Sequence, residues 1–184
     1  MDFNVTSELQ NYLELNERLV WAGQPKKGVV FRTTDIFIIP FSLLWCGFAI
    51  FWFTSALLSG APIFLAIFGI PFVCVGLFFV FGRFIIDAKS RENTFYGITE
   101  NRIIIRSGIL KKTIKSINLK TLSEIEFEEK KDGSGTINFG PSNPFFIRNH
   151  NLHWFSGSKQ NTSFELIHDV RQVYNKIRQL QQSK

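Results

Sequence analysis

From Ile36 through Gly82 the chain carries no Asp, Glu, Lys, Arg or His, and this block holds most of the 21 Phe residues and two of the four Trp residues. So long an uncharged run exceeds what a core helix or strand of a water-soluble domain needs. A helix crosses the hydrocarbon layer with about 20 apolar residues at about 1.5 Å rise each, so the block supplies two crossings and a turn. The first crossing is placed near Ile36 to Leu58, the second from about Pro62 to Phe81 with Ile86 as its outer limit. Ser59-Gly60-Ala61-Pro62 marks the turn between them, because Gly frees the backbone and Pro suits the first turn of the following helix. The polar segment before the block, with Glu8, Glu14 and Glu17, does not follow the pattern of a cleaved signal peptide.

Charge on the flanks orients the hairpin. Lys26, Lys27 and Arg32 precede the first crossing, Arg83, Lys89 and Arg91 follow the second, and the connecting turn is uncharged. By the positive-inside rule both termini are cytoplasmic, as in a multi-pass protein of the cell membrane, and Asp35 and Asp87 weigh little against this. The expected organisation is therefore a cytoplasmic N-terminal segment over residues 1–35, a transmembrane hairpin over 36–86 and a cytoplasmic domain over 87–184. The six basic flanking residues are candidate contacts with the membrane surface or a partner.

Each crossing carries one stripe of small residues: Ser42, Cys46, Ala49 and Ala56 on the first, Ala66, Gly69 and Gly76 on the second. Close helix approach in lipid uses such stripes, so these are candidate packing residues, within the hairpin or between copies. Pro40 and Pro71 are positioned to bend their helices. Cys46 and Cys74 are the two cysteines of the chain; in apolar surroundings they read as inert packing residues rather than redox groups.

Beyond the block the periodicity changes. Residues 83–184 hold 17 Lys/Arg against 10 Asp/Glu, while residues 1–35 hold 4 against 5, so the basicity lies in the C-terminal part. Such a domain at a cytoplasmic leaflet is attracted to anionic lipid. Thr94 to Thr99 reads as a strand, Glu100-Asn101 as a tight turn, and the β-branched run Arg102-Ile103-Ile104-Ile105-Arg106 as its partner. Lys111 to Asn118, Leu122 to Lys130, Thr136 to Phe139, Trp154-Phe155 and Ser163 to Leu166 are further strand candidates, and Gly140 to His153 is a long loop. Asp132-Gly133-Ser134-Gly135 is a hairpin turn, since it joins two strands rather than opening a helix. Ile167, Val170, Val173, Tyr174, Ile177 and Leu180 share one face of a C-terminal amphipathic helix.

Six or seven short antiparallel strands closed by one C-terminal helix, with Thr94-Phe-Tyr-Gly-Ile-Thr-Glu-Asn-Arg-Ile-Ile-Ile opening the sheet, resemble the bacterial PH-like domain family. Glu17-Arg-Leu-Val-Trp-Ala-Gly-Gln-Pro25 followed by a two-helix block is similar to its membrane-anchored members. The fold class implied is a two-helix transmembrane hairpin plus an α+β PH-like domain, an antiparallel sheet or partly open barrel capped by the helix. The resemblance implies binding or scaffolding at the membrane. Eukaryotic PH domains that bind phosphoinositides place basic residues between their first two strands; with Glu100-Asn101 in that place, headgroup specificity is not carried over.

No nucleophile elbow, Walker loop, dinucleotide turn or zinc-protease helix is present, so no catalysis, cofactor or metal is expected, and no nucleic-acid motif accompanies the positive charge. His150, His153 and His168 read as surface residues rather than ligands. Phe145, Phe146 and Arg148 in the long loop are candidate contacts with lipid or a partner, or a plug for the open end of the sheet. The lysines of the Lys111–Asn118 strand either form a basic face or are neutralised across strands, Lys115 by Glu126 and Lys112 by Glu129. The expected protein is a membrane-anchored binding module at the cytoplasmic face of a lipid bilayer, recognising a membrane protein, a peptide, a second copy or anionic lipid. The alternative is an accessory subunit of a transport or secretion complex acting mainly through its hairpin.

The facing of the two stripes is directly testable. Cysteine pairs placed across them, in a background lacking Cys46 and Cys74, are expected to crosslink in native membranes while outward-facing pairs do not; the opposite pattern would refute the packing.

Overall fold

The computed structural model describes residues 3–31, 35–60, 62–109, 111–140 and 162–183. Arg32, Phe145, Phe146, Arg148, His150, His153 and the Trp154-Phe155 strand candidate lie outside these. The chain divides into two compact units, one of residues 29–88 and 151–155, the other of residues 1–28, 89–150 and 156–184.

In the apolar unit, α2 (Asp35–Leu58) is followed after a short turn by α3 (Ile63–Leu77), a π-helical turn (Phe78–Gly82) and α4 (Arg83–Glu92), which together run as one helical stretch. Pro40 and Pro71 both lie inside assigned helix. The hydroxyls of Ser42 and Thr54 donate to the carbonyls of Ile39 and Ile50, which satisfies polar groups on an otherwise apolar helix. The helices meet along small residues. Ser42, Cys46 and Ala49 are buried on α2, Ala56 is half-buried, and Gly69 and Gly76 are buried on α3. A Cβ built on Gly76 would lie 2.9 Å from Cys46 Cα, and one on Gly69 would lie 3.3 Å from Phe53 Cδ2, so the glycines set how closely the backbones approach. The large side chains point away from this seam: Phe37, Phe41, Phe48, Phe51, Phe64 and Phe68 are 63–78% exposed. At the open end Arg83 Nη1 pairs with Asp35 Oδ1 at 2.9 Å, both side chains buried, and the guanidinium stands 4.4 Å from the centre of the Phe84 ring.

The described residues of the second unit form seven strands in two antiparallel sheets, β1 (Leu19–Gly23), β2 (Phe95–Thr99), β3 (Arg102–Ser107) and β4 (Thr113–Asn118) in one, β5 (Ile125–Glu129), β6 (Gly135–Phe139) and β7 (Ser163–Ile167) in the other. Helix α5 (Val170–Gln182) follows β7. The core is made by inward residues of both sheets and one face of α5: Tyr96, Ile98, Ile103, Ile105, Leu119, Ile137, Phe139, Phe164, Val170, Val173 and Ile177. Phe164 sits at its centre, stacked on Tyr96 at 4.5 Å and meeting Phe139 edge-on at 4.9 Å. Burial pushes the Tyr96 hydroxyl well above the usual phenol range, and its oxygen accepts from the Glu165 amide.

Two sequence expectations need correction. The sheet does not begin at Thr94: β1 comes from before the apolar block and pairs with β2 after it, Trp21 opposite Ile98 and Gly23 opposite Tyr96. The connection between the first two strands is therefore residues 24–94, not Glu100-Asn101, which joins β2 to β3. The N-terminal segment also contributes α1 (Phe3–Gln10), whose Val5 and Leu9 bury against Ala22 and Ile104. That contact is why three consecutive isoleucines of β3 are all buried, Ile104 beneath α1 and its neighbours between the sheets. Gly97 makes room for it, since a Cβ there would lie 3.1 Å from Leu9 Cδ1.

The cross-strand pairing of Lys115 with Glu126 does not form. A 3-10 turn (Leu119–Thr121) carries the chain from one sheet to the other, so β4 pairs with β3 and β5 with β6. Lys115 Nζ instead donates to Thr162 Oγ1 at 2.9 Å, and burial lowers its pKa.

Two residues fix the N-terminal segment to the sheet. Thr99 Oγ1 donates to the Arg102 carbonyl and accepts from the amides of Asn101 and Arg102, closing the β2–β3 turn. Arg102 then reaches back to Glu17 with two bonds, Nε to Oε1 at 2.9 Å and Nη2 to Oε2 at 2.7 Å, and pairs with Glu14 through Nη1. The Arg102 guanidinium holds the Glu17 carboxyl down at about 2, from an ordinary 4.5. A carboxyl depressed in the folded state contributes stability that is complete above its unfolded value and is lost as pH falls through the folded one. The unfolding midpoint of the sheet unit, followed by near-UV circular dichroism, is expected to fall between about pH 4.5 and 2. In Glu17→Gln this slope is reduced and the midpoint at neutral pH is lower, by about 1–3 kcal/mol of stability. An unchanged acid slope in that variant would remove Glu17 as its source.

Candidate binding groove

After β1 the chain runs on through Gln24, Pro25, Lys26 and Lys27, where the Lys26 amide donates to the Leu166 carbonyl at 2.9 Å. This ties the strand that opens the first sheet to the last strand of the second. Opposite lies α5, and between the two is a groove of about 830 Å³, within the size range of ligand sites. Its β1 side is Trp21 to Lys27, its helix side is His168, Asp169, Gln172, Val173, Asn175, Lys176 and Gln179. All of these belong to the sheet unit.

Local chemistry explains the shape of both walls. Trp21 stacks on Phe164 at 5.6 Å, and a Cβ built on Gly23 would lie 2.4 Å from the Trp21 ring, so the indole lies across the glycine. On the other wall Asp169 adopts left-handed backbone, φ 51°, immediately before α5, and Leu166, whose carbonyl holds Lys26, has φ 50°. Asp takes up this conformation readily, whereas at Leu166, a branched side chain, it carries strain. The first helical amide, that of Val170, bonds to the Gly133 carbonyl in the β5–β6 turn.

The groove is cationic. Lys26, Lys27 and Lys176 line it with a single carboxylate, Asp169. Lys26 Nζ also pairs with Asp132 at 3.1 Å, both side chains half exposed. The Ser134 hydroxyl and amide, with Lys26, hold the Asp132 carboxyl far below the usual range. Among the described residues Lys27 and Lys176 have no acidic partner, and Gln24, Gln172, Asn175 and Gln179 add amide donors and acceptors. Such walls suit an extended ligand that carries negative charge and exposes polar backbone.

The sequence candidates are thus dispersed. Lys26 and Lys27 line the groove; Lys89 is exposed on α4. Arg91 is buried and donates from Nη2 to the Gly28 carbonyl at 2.6 Å, and Arg83 is buried against Asp35, so neither presents a free cation at a surface. Trp21, His168 and Lys176 were not singled out beforehand, because their proximity depends on β1 joining the sheet. Ala66 lies on α3. Replacing Trp21 with Ala removes the indole from Phe164 and Gly23 and is expected to lower stability by about 2–3 kcal/mol. The check is the denaturant midpoint of the sheet unit, and an unchanged midpoint would contradict the packing role.

A family model described as bacterial PH domain matches residues 35–180, which takes in both long apolar helices as well as β2 to α5. No curated protein and no solved structure matches the chain. The antiparallel strands of the two sheets and the C-terminal helix agree with that match, and the chain belongs to the bacterial PH domain family.

Proposed function

We propose that the protein is a membrane-anchored binding module: the two apolar helices cross the cell membrane as a hairpin, and the PH-like domain at the cytoplasmic face recognises a partner through the groove between β1 and α5. The observation that carries the anchoring is the outward surface of the helices. Core helices of a water-soluble protein are mostly buried, whereas the most apolar windows of these two are 17% and 12% buried, with phenylalanines on the outer faces. Lipid is the solvent that tolerates such a surface.

Connectivity supports an even number of crossings. Asp35 and Arg83 pair across the open end of the hairpin, and Gly28 and Arg91, at the two places where the chain leaves and rejoins the sheet unit, are hydrogen-bonded. These contacts support the reading that both ends of the hairpin lie on one side of the membrane. The basic flanks make that side the cytoplasmic one.

For the groove, the favoured occupant is an extended acidic segment of a protein partner, matched to Lys27 and Lys176. In native membranes, a photocrosslinker at Gln172 is expected to give one defined adduct, which the double variant Lys27→Glu, Lys176→Glu abolishes. The variant is expected to stay in the alkali-resistant membrane fraction. Loss from that fraction would count against anchoring, and an adduct that survives the charge reversal would count against the groove. Adducts formed only from the outer faces of the helices would move the function to the hairpin.

A further inference from the structure

We propose that the tip of the β3–β4 hairpin is a second membrane contact, which lays the PH-like domain on an anionic lipid surface. It rests on the membrane-anchored reading above and not on the groove. Among the described residues of the sheet unit, the large apolar side chains classed as exposed are Leu15, Ile109 and Ile114. Two of these three lie on one hairpin, on either side of Lys111 and Lys112, both of which are exposed. Ile109 and Ile114 are 41% and 47% exposed, so a surface that covered this pair would recover apolar area from water.

Charge identifies what covers them. From Ser107 to Asn118 the sequence contains no acidic residue. Lys115, on the same hairpin, is engaged with Thr162, while Lys111 and Lys112 have no acidic partner among the described residues. Aliphatic residues flanking paired lysines match a bilayer interface, in which the apolar chains reach past the headgroups and the ammonium groups stay among the phosphates. Lysine is a point charge without fixed bonding geometry, which suits a fluid array of headgroups better than a particular ligand. Gly108 has φ 125°, and a Cβ there would lie 1.9 Å from the Lys111 carbonyl oxygen, so the turn closes tightly just beyond the Ser107–Thr113 pair.

Two lysines and two isoleucines bind a bilayer weakly from free solution. On a domain already joined to membrane helices the encounter is intramolecular, and the same contact shifts a docked–undocked equilibrium on the order of tenfold.

The test uses the full chain in nanodiscs of phosphatidylcholine alone or mixed with phosphatidylserine, read by hydrogen exchange. Amides from Ile109 to Ile114 are expected to exchange about tenfold more slowly in the anionic discs, with the difference abolished by high salt and by Lys111→Glu with Lys112→Glu. Ile109→Ser with Ile114→Ser is expected to reduce it. Unchanged exchange of the Ile103 and Phe164 amides confirms that the variants are folded. Equal exchange in the two kinds of disc overturns the proposal, as does protection that requires a copurifying protein and ignores lipid charge. A chain that fails to enter nanodiscs sinks the anchoring reading instead, and flotation with anionic vesicles then tests the tip alone. Flotation lost in the double lysine variant supports it; flotation absent or unaltered overturns it.

Discussion

The bidentate pair between Glu17 and Arg102 joins two stretches of chain that lie on opposite sides of the whole apolar hairpin. Much of the PH-like domain follows from that junction. With Glu17 held, β1 enters the sheet two residues later and pairs with β2; with β1 in place, α1 has a surface to cover, Trp21 reaches Phe164, and Lys26 can bond to Leu166. The groove exists because its β1 wall is supplied by residues that come before the hairpin while its helix wall comes from the end of the chain. An ion pair formed by a planar guanidinium and both carboxylate oxygens is suited to this work, since it fixes orientation as well as distance.

The sequence was most legible where periodicity and turn chemistry act locally. The long apolar helices, the β2–β3 turn, the Asp132-Gly133-Ser134-Gly135 turn and the apolar face of α5 each announce themselves within a short window. What failed was the assignment of neighbours. Nothing in Leu19 to Gly23 reveals that its partner lies beyond the hairpin, so the segment read as a separate tail and the β2–β3 turn was mistaken for the first loop of the domain. Lys115 and Glu126 are close in sequence, and a short turn between their strands suggested pairing; the 3-10 turn after β4 redirects the chain to a second sheet. Two motifs quoted separately, Glu17 in one and Thr99 with Arg102 in the other, are two halves of one contact. The candidate groove was legible only in Lys26 and Lys27, for the same reason.

The hairpin follows a different rule. In water, small residues in a helix are neutral filler; in lipid, where large apolar side chains gain nothing by hiding, they decide where backbones can touch. The seam of Ser42, Cys46, Ala49, Gly69 and Gly76, with phenylalanines turned outward, is the arrangement that the proposed lipid surroundings would select. Asp35 and Arg83, two charged groups at the open end of the apolar unit, neutralise each other rather than facing solvent.

Placing a hairpin between β1 and β2 also sets the order in which the chain can be built. As the protein is synthesised, β1 emerges a complete hairpin ahead of the strand it pairs with. At about 5–20 residues per second it waits on the order of several seconds before β2 exists. During that interval Glu17 has no arginine partner from β3, α1 has no sheet to cover, and both apolar helices are synthesised before β2. The groove between β1 and α5 therefore cannot close until the apolar helices and everything after them have been synthesised.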